Sequence, residues 1–197
     1  MRIENNNIKE KYMNKKELKE LIKKDKKLYC SNNKLKKVYE KITRQKNIQM
    51  LECIIYARKY RFYLENKKGI LNKLKFVHYA RLNNLHGRKN NIELYGKFGK
   101  NLKIYHSGII INKEAIIGEN VKLHGLNCIG NNGKDNKAPK IGNNVDIGVG
   151  AILIGNIEIA DNIKIGANSV VTKNFLEEGI TIAGIPAKKI NSGGKNE

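Results

Sequence analysis

Hydrophobic positions along the chain change their period once, near residue 90. Before that point apolar residues recur every three to four positions: Leu18, Leu21, Ile22 and Leu28, then Leu35, Val38, Tyr39 and Ile42, then the denser run Met50, Leu51, Ile54 and Ile55. A last segment opens after Gly69, carries Leu71, Leu74, Val77 and Leu85, and closes near Gly87. This spacing predicts about three helices within 8–89, each with one buried face and one lysine-rich face, joined by turns at 31–33 and 66–69.

After residue 90 the period is six. An aliphatic residue leads each short unit at Ile117, Leu123, Ile129, Ile141, Ile147, Leu153, Ile159, Ile165 and Val171, with one double step from 129 to 141. Gly or Ala follows the leader at Gly118, Gly130, Gly142, Gly148, Ala160 and Gly166. Neither a helix nor a strand repeats at six; a chain that turns a corner every six residues does. Each leader then points into a narrow three-sided prism, and the small residue after it lets the backbone bend. Phe98, Ile104 and Ile110 follow the same rule one residue out of phase, which requires an extra residue between 111 and 116. The segment 130–140, GNNGKDNKAPK, has Asp135 where a leader should stand and is expected as a loop extruded from the coil. The expected organisation is a basic helical segment at 1–89, a coiled β domain at 90–190 and a short tail at 191–197.

The chain has 197 residues, 40% of them hydrophobic, enough for one domain with a helical extension. It has no apolar run near the ~18 residues of a membrane span, and the polar start MRIENNNIKEKYM has no apolar signal region. Cys30, Cys53 and Cys128 are too scattered for a disulfide framework or a metal motif, which favours a reducing, cytoplasmic location. The formal charge of +21 is unevenly spread: residues 1–90 hold 26 Lys and Arg against 8 Asp and Glu, leaving 13 against 10 for the rest. A charge confined to helix faces is first of all a solvated surface; no nucleic-acid partner is expected, and membrane-surface contact is the functional alternative.

Candidate chemistry lies at His106, in KIYHSGIII, and at His124, in KLHGLN. By the six-residue count both fall on one face in adjacent coils, about 4.8 Å apart along the axis. No third histidine lies in the coil and His86 falls just before it, so no zinc site is expected. His78 reads as a packing residue.

Three segments, HSGIIINKEAIIGENVKLHG, KIGNNVDIGVGAILIGNIEIADNIKIGANSVVTKN and IAGIPAKKI, cover about half the chain. They resemble the hexapeptide-repeat acyltransferases, above all the serine acetyltransferases and their surface-polysaccharide O-acetyltransferase relatives. The resemblance implies a mainly β fold, a left-handed parallel β-helix preceded by an α-helical segment. The handedness rests on the resemblance, since parallel crossovers are normally right-handed. It further implies acetyl-CoA as co-substrate, no metal, a small hydroxyl acceptor, and a homotrimer whose active sites lie between subunits. The implied reaction is transfer of acetyl to L-serine in cysteine biosynthesis; a sugar of a capsule or lipopolysaccharide precursor is the alternative acceptor, and a non-catalytic scaffold the alternative outside enzymes.

On this resemblance His106 is the general base that takes the proton of the attacking hydroxyl. His124 is a second active-site residue, and Glu93 is the candidate carboxylate that orients the base. Val149, Ala167, Thr172 and Lys173 would flank the pantetheine arm, with Lys188 near the nucleotide phosphates. Three departures bear on the acceptor: Tyr105 stands where the family has an aspartate, Ala138 rather than histidine precedes Pro139, and the tail NSGGKNE lacks the terminal isoleucine of serine acetyltransferases.

Overall fold

The structure is a computed structural model that describes residues 13–190; the first residues of the expected helical stretch, 8–12, and the tail 191–197 lie outside the described residues. The N-terminal part forms four helices: α1 (Lys15–Tyr29), α2 (Lys34–Ile42), α3 (Lys46–Glu65) and α4 (Ile70–Asn90). The expected second helix divides at 43–45, where Arg44 takes a left-handed conformation at φ 48°. Asn14 starts α1: its side chain accepts from the Lys16 and Glu17 N–H groups, and the Glu17 carboxylate accepts from its backbone N–H.

Apolar residues surround α3, and it is accordingly the buried helix, with Ile48, Met50, Leu51, Cys53, Ile54, Ala57 and Phe62 inside. It packs against α1 and α4 and, with α4, against the first strand, closing the open end of the coil. The apolar stripe of α1 is buried at Leu18 and half-buried at Leu21 and Ile22, but those expected to be buried on α2 and α4 are not. Leu35 and Ile42 of α2 are 83% and 76% exposed, and Leu71, Leu74, Val77 and Leu85 of α4 also face outward. The reason lies on the inner side of α4, which meets a strand backbone and therefore uses small and polar residues. Asn83 donates to the Leu94 carbonyl at 3.2 Å, and Gly87 leaves room for the Ile92 carbonyl.

From Ile92 the chain winds as a parallel β-helix with three faces of five, four and six strands. The first coil contains β1 (Ile92–Leu94), β2 (Lys97–Phe98) and β3 (Lys103–Ile104); the second β4 (Ile109–Ile111), β5 (Ile116–Ile117) and β6 (Lys122–Leu123). The third contains β7 (Cys128–Gly130), β8 (Lys140–Ile141) and β9 (Asp146–Ile147), and the fourth β10 (Ile152–Ile154), β11 (Glu158–Ile159) and β12 (Lys164–Ile165). The fifth has β13 (Val170–Val171), a bridge at Phe175 and β14 (Thr181–Gly184), from which β15 (Ala187–Ile190) folds back antiparallel. All nine leaders from Ile117 to Val171 are buried and point inward.

One leader was misassigned. Ile110 is 48% exposed; Ile111 is the inward residue and pairs with Leu94 and Ile129. The extra residue therefore lies between Ile104 and Ile111, in the corner Tyr105-His106-Ser107-Gly108, and not between 111 and 116. Gly108 accommodates it at φ 79°. The segment 131–137 forms the expected extruded loop, and the chain re-enters through buried Ala138 and Pro139.

A second periodic device uses asparagine. Asn101, Asn120, Asn144 and Asn162 each precede a leader by three residues and adopt φ between 56° and 63°. Each of the first three donates its side-chain amide to the next at 2.8–3.1 Å, making a ladder along one corner of the prism. Asn suits the position because it tolerates the left-handed region and its short amide reaches one rung.

Two further buried polar contacts bind helices to coil. Arg58 on α3 pairs with Asp25 on α1 at 2.6 and 3.1 Å and donates to the Phe98 and Gly99 carbonyls. The Tyr29 hydroxyl donates to the Leu102 carbonyl and accepts from the Ile104 N–H at 2.6 Å, fixing the end of α1 against β3. Burial pushes this phenol well above the usual tyrosine value, against the lowering effect of the Ile104 hydrogen bond.

Candidate active site

His106 projects from the enlarged corner between β3 and β4. The register Lys103↔Lys122 and Ile104↔Leu123 sets Tyr105 opposite His124 and His106 opposite Gly125. The two histidines are thus one position out of step, His106 two residues after its leader and His124 one. They do not stack, contrary to the count from sequence. A side chain at Gly125 would put its Cβ 2.6 Å from that of His106, so glycine is required for this imidazole to sit at the corner.

His106 Nδ1 lies 3.1 Å from Lys46 Nζ at the start of α3. An ammonium there donates to the imidazole lone pair, which leaves the ring hydrogen on Nε2. Glu93, the expected orienting carboxylate, is exposed on β1 opposite Ile110, and no hydrogen bond or ion pair joins it to His106 among the described residues. The structure therefore puts a cation where sequence reasoning expects an anion. Nothing local in the sequence could signal this, since Lys46 reaches the corner across 60 residues of chain.

The carboxylate–imidazole pair occurs one coil on. His124 Nε2 is 2.7 Å from Asp146 Oδ1, and the His124 ring stacks on Tyr105 with centroids 4.8 Å apart. Asp146 holds the Nε2–H tautomer, leaving Nδ1 as the basic nitrogen. Sequence reasoning missed Asp146 and noted Tyr105 only as a departure from the family, not as the partner of His124, although both contacts were within its reach: Asp146 precedes the leader Ile147, Tyr105 follows the leader Ile104, and residues before and after a leader face outward together.

The cofactor candidates separate into groups. Pairing of Lys164–Ile165 with Asp146–Ile147 puts Val149 beside Ala167, and the Gly150 N–H donates to the Gly125 carbonyl one rung below. His106, Gly125, Val149 and Ala167 therefore form one corner column, the imidazole at its head and Ala167 three rungs away, about 14 Å. Thr172 and Lys173 follow β13 and lie at the other edge of its face, with the Lys173 ammonium 5.5 Å from the Phe175 ring. Lys188 is exposed on β15 opposite Ala183.

A cavity of about 610 Å³ opens between α1 and the face carrying β3 and β6. Lys24, Lys27, Lys100, Lys103 and Lys122 line it, with Leu28 and Tyr105 as apolar wall. Lys103 Nζ lies over the Tyr29 ring at 4.4 Å and near the Tyr105 ring at 5.7 Å; partial burial lowers its pKa. No group of three His, Cys, Asp or Glu side chains suited to a metal ion occurs among the described residues.

Serine acetyltransferases of Staphylococcus aureus are 35% identical to the chain over 130 residues, 64% of this chain and 61% of theirs. The serine acetyltransferase of Neisseria gonorrhoeae superposes with a TM-score of 0.68 at 25% identity, over 92% of this chain and 67% of that one. By sequence and by fold, this chain is related to the serine acetyltransferases. The Brucella abortus serine acetyltransferase solved with coenzyme A has the same fold, with a TM-score of 0.70 at 22% identity over 92% of this chain and 71% of that one. The chain spans about three fifths of the length of the staphylococcal relatives it matches. No family model matches it.

Proposed function

We propose that this chain transfers an acetyl group from acetyl-CoA to a hydroxyl, in the manner of the serine acetyltransferases to which it is related. The carrying observation is His106, held by Gly125 at the head of the corner column that runs through Val149 to Ala167. The column fits a thioester donor: its side chains are small, it is open to solvent at Val149 and Ala167, and a slender pantetheine arm needs close approach to backbone.

An alcohol is a weak nucleophile near neutral pH. The imidazole of His106 takes the hydroxyl proton as the oxygen attacks the thioester carbonyl, and the imidazolium returns that proton to the departing thiolate. The products are an acetyl ester and free coenzyme A. Lys46 must leave Nδ1, or the ring must change tautomer, for a lone pair to face the acceptor. Its exposed position at the start of α3 allows this.

L-Serine is the first acceptor to test, because the relatives carry that name. A sugar is the second reading, favoured by Tyr105 before the base and by a neighbouring cavity far larger than one amino acid. The apolar Ile110 and Ile116 on the outer faces support a homotrimer, which light scattering checks. No helix among the described residues is long and apolar enough to cross a membrane. The functional test is release of free thiol from acetyl-CoA, scored with a thiol reagent, on addition of L-serine or of sugars. Acceptor-dependent release supports the proposal, and absence of both turnover and coenzyme binding refutes it.

A further inference from the structure

The cavity beside Tyr105 has a chemistry that acetyl transfer to an amino acid does not require. Five lysines converge on it. Two are compensated: Lys100 pairs with Glu119, and Lys122 lies 3.5 Å from Asp146. Lys24, Lys27 and Lys103 have no carboxylate partner among the described residues. Lys103 is the most telling of them. A partly buried ammonium held over two aromatic rings, without a carboxylate partner, is a favourable place for an anion to bind.

The volume is in the range that encloses a small organic ligand, whereas serine would leave most of it unfilled. Tyr105 ends the cavity and is the residue before the base. Its ring, stacked on His124, gives a flat surface to the body of a ligand whose charge is held by the lysines. Lysines spread around a cavity act as separate point charges, which suits several phosphate oxygens better than one planar carboxylate.

We propose that this lysine-lined cavity anchors a phosphate-bearing acceptor, whose hydroxyl is thereby delivered past Tyr105 to His106. This rests on the acetyltransferase reading and narrows its acceptor to phosphorylated hydroxyl compounds.

Inorganic pyrophosphate is the probe, titrated calorimetrically into the full chain with and without saturating coenzyme A. The expected result is saturable binding that persists beside coenzyme A. It should weaken about tenfold or more in Lys103→Gln and again in the surface double variant Lys24→Gln/Lys27→Gln, since each charged hydrogen bond is worth about that factor. Binding unchanged in both variants, displacement of pyrophosphate by coenzyme A, or efficient turnover of unphosphorylated L-serine would each overturn the assignment. The two readings fail separately. Coenzyme A binding without pyrophosphate binding removes the anion site and leaves the acetyltransferase; pyrophosphate binding without coenzyme A binding does the reverse.

Discussion

At the scale of single residues, the proposed acetyl transfer gives His106 the role of base, and Gly125 makes its place. Replacing His106 with Ala should lower turnover by about 10²–10⁴-fold while circular dichroism and oligomeric state stay unchanged, because general-base assistance is worth that much. A loss below tenfold would remove it from the mechanism. Tyr29 gives a pH prediction. Its folded-state pKa is raised by burial, so below the ordinary value of 10.0 the phenol is protonated in both folded and unfolded chains. Above that value the unfolded chain ionises first, binds fewer protons than the folded one, and gains stability relative to it. Denaturant midpoints should therefore fall between pH 9 and pH 11 in the native protein, and fall less in Tyr29→Phe.

At the scale of elements, the asparagine ladder holds the rungs in register. Asn144→Ala keeps a β-carbon at φ 56° but loses the polar side chain that favours this left-handed conformation, and it breaks two ladder hydrogen bonds, at an expected cost of about 1–3 kcal/mol. Asn144→Gly keeps the backbone conformation and should cost less, which separates conformation from bonding in a single pair of urea titrations. The period of the leaders announced the coil, and all eight intervals between the nine leaders from Ile117 to Val171 are those of the structure's inward positions, with the extruded loop as the one double step. Period alone could not place the extra residue. Ile109, Ile110 and Ile111 are chemically identical, and only pairing with Cys128 and Ile129 decides that Ile110 faces out and Ile111 takes the leader's place. The asparagines had no apolar signature, so a period count built on hydrophobic residues passed over them.

At the scale of the whole molecule, helices and coil share one core and are pinned by Arg58 and Asp25. Asp25→Ala leaves a guanidinium buried without its counter-ion and should destabilise the fold by about 3–5 kcal/mol, read as a lower urea midpoint. Arg58→Met in the same chain should restore part of the loss. Helix periodicity was a weaker guide than coil periodicity for a physical reason. An apolar stripe shows that a helix can bury a face, not which neighbour is there to cover it, and Leu35 or Leu71 reads the same in either case. The candidate site divides along the same line. His106 and the Val149–Ala167 pair follow from local repeat geometry, whereas Lys46, Lys24 and Lys27 arrive from helices whose docking no local pattern encodes.

The enlarged corner at His106 has a further consequence. A rod of equal rungs has no address on it, and any coil could be exchanged for its neighbour. One surplus residue marks a single level and swings an imidazole out there. Removing Ser107 would restore an even cadence from Ile104 onward, and the rod should still assemble, but with the imidazole drawn back into line and, on the proposed reading, no acetyl transfer left to measure.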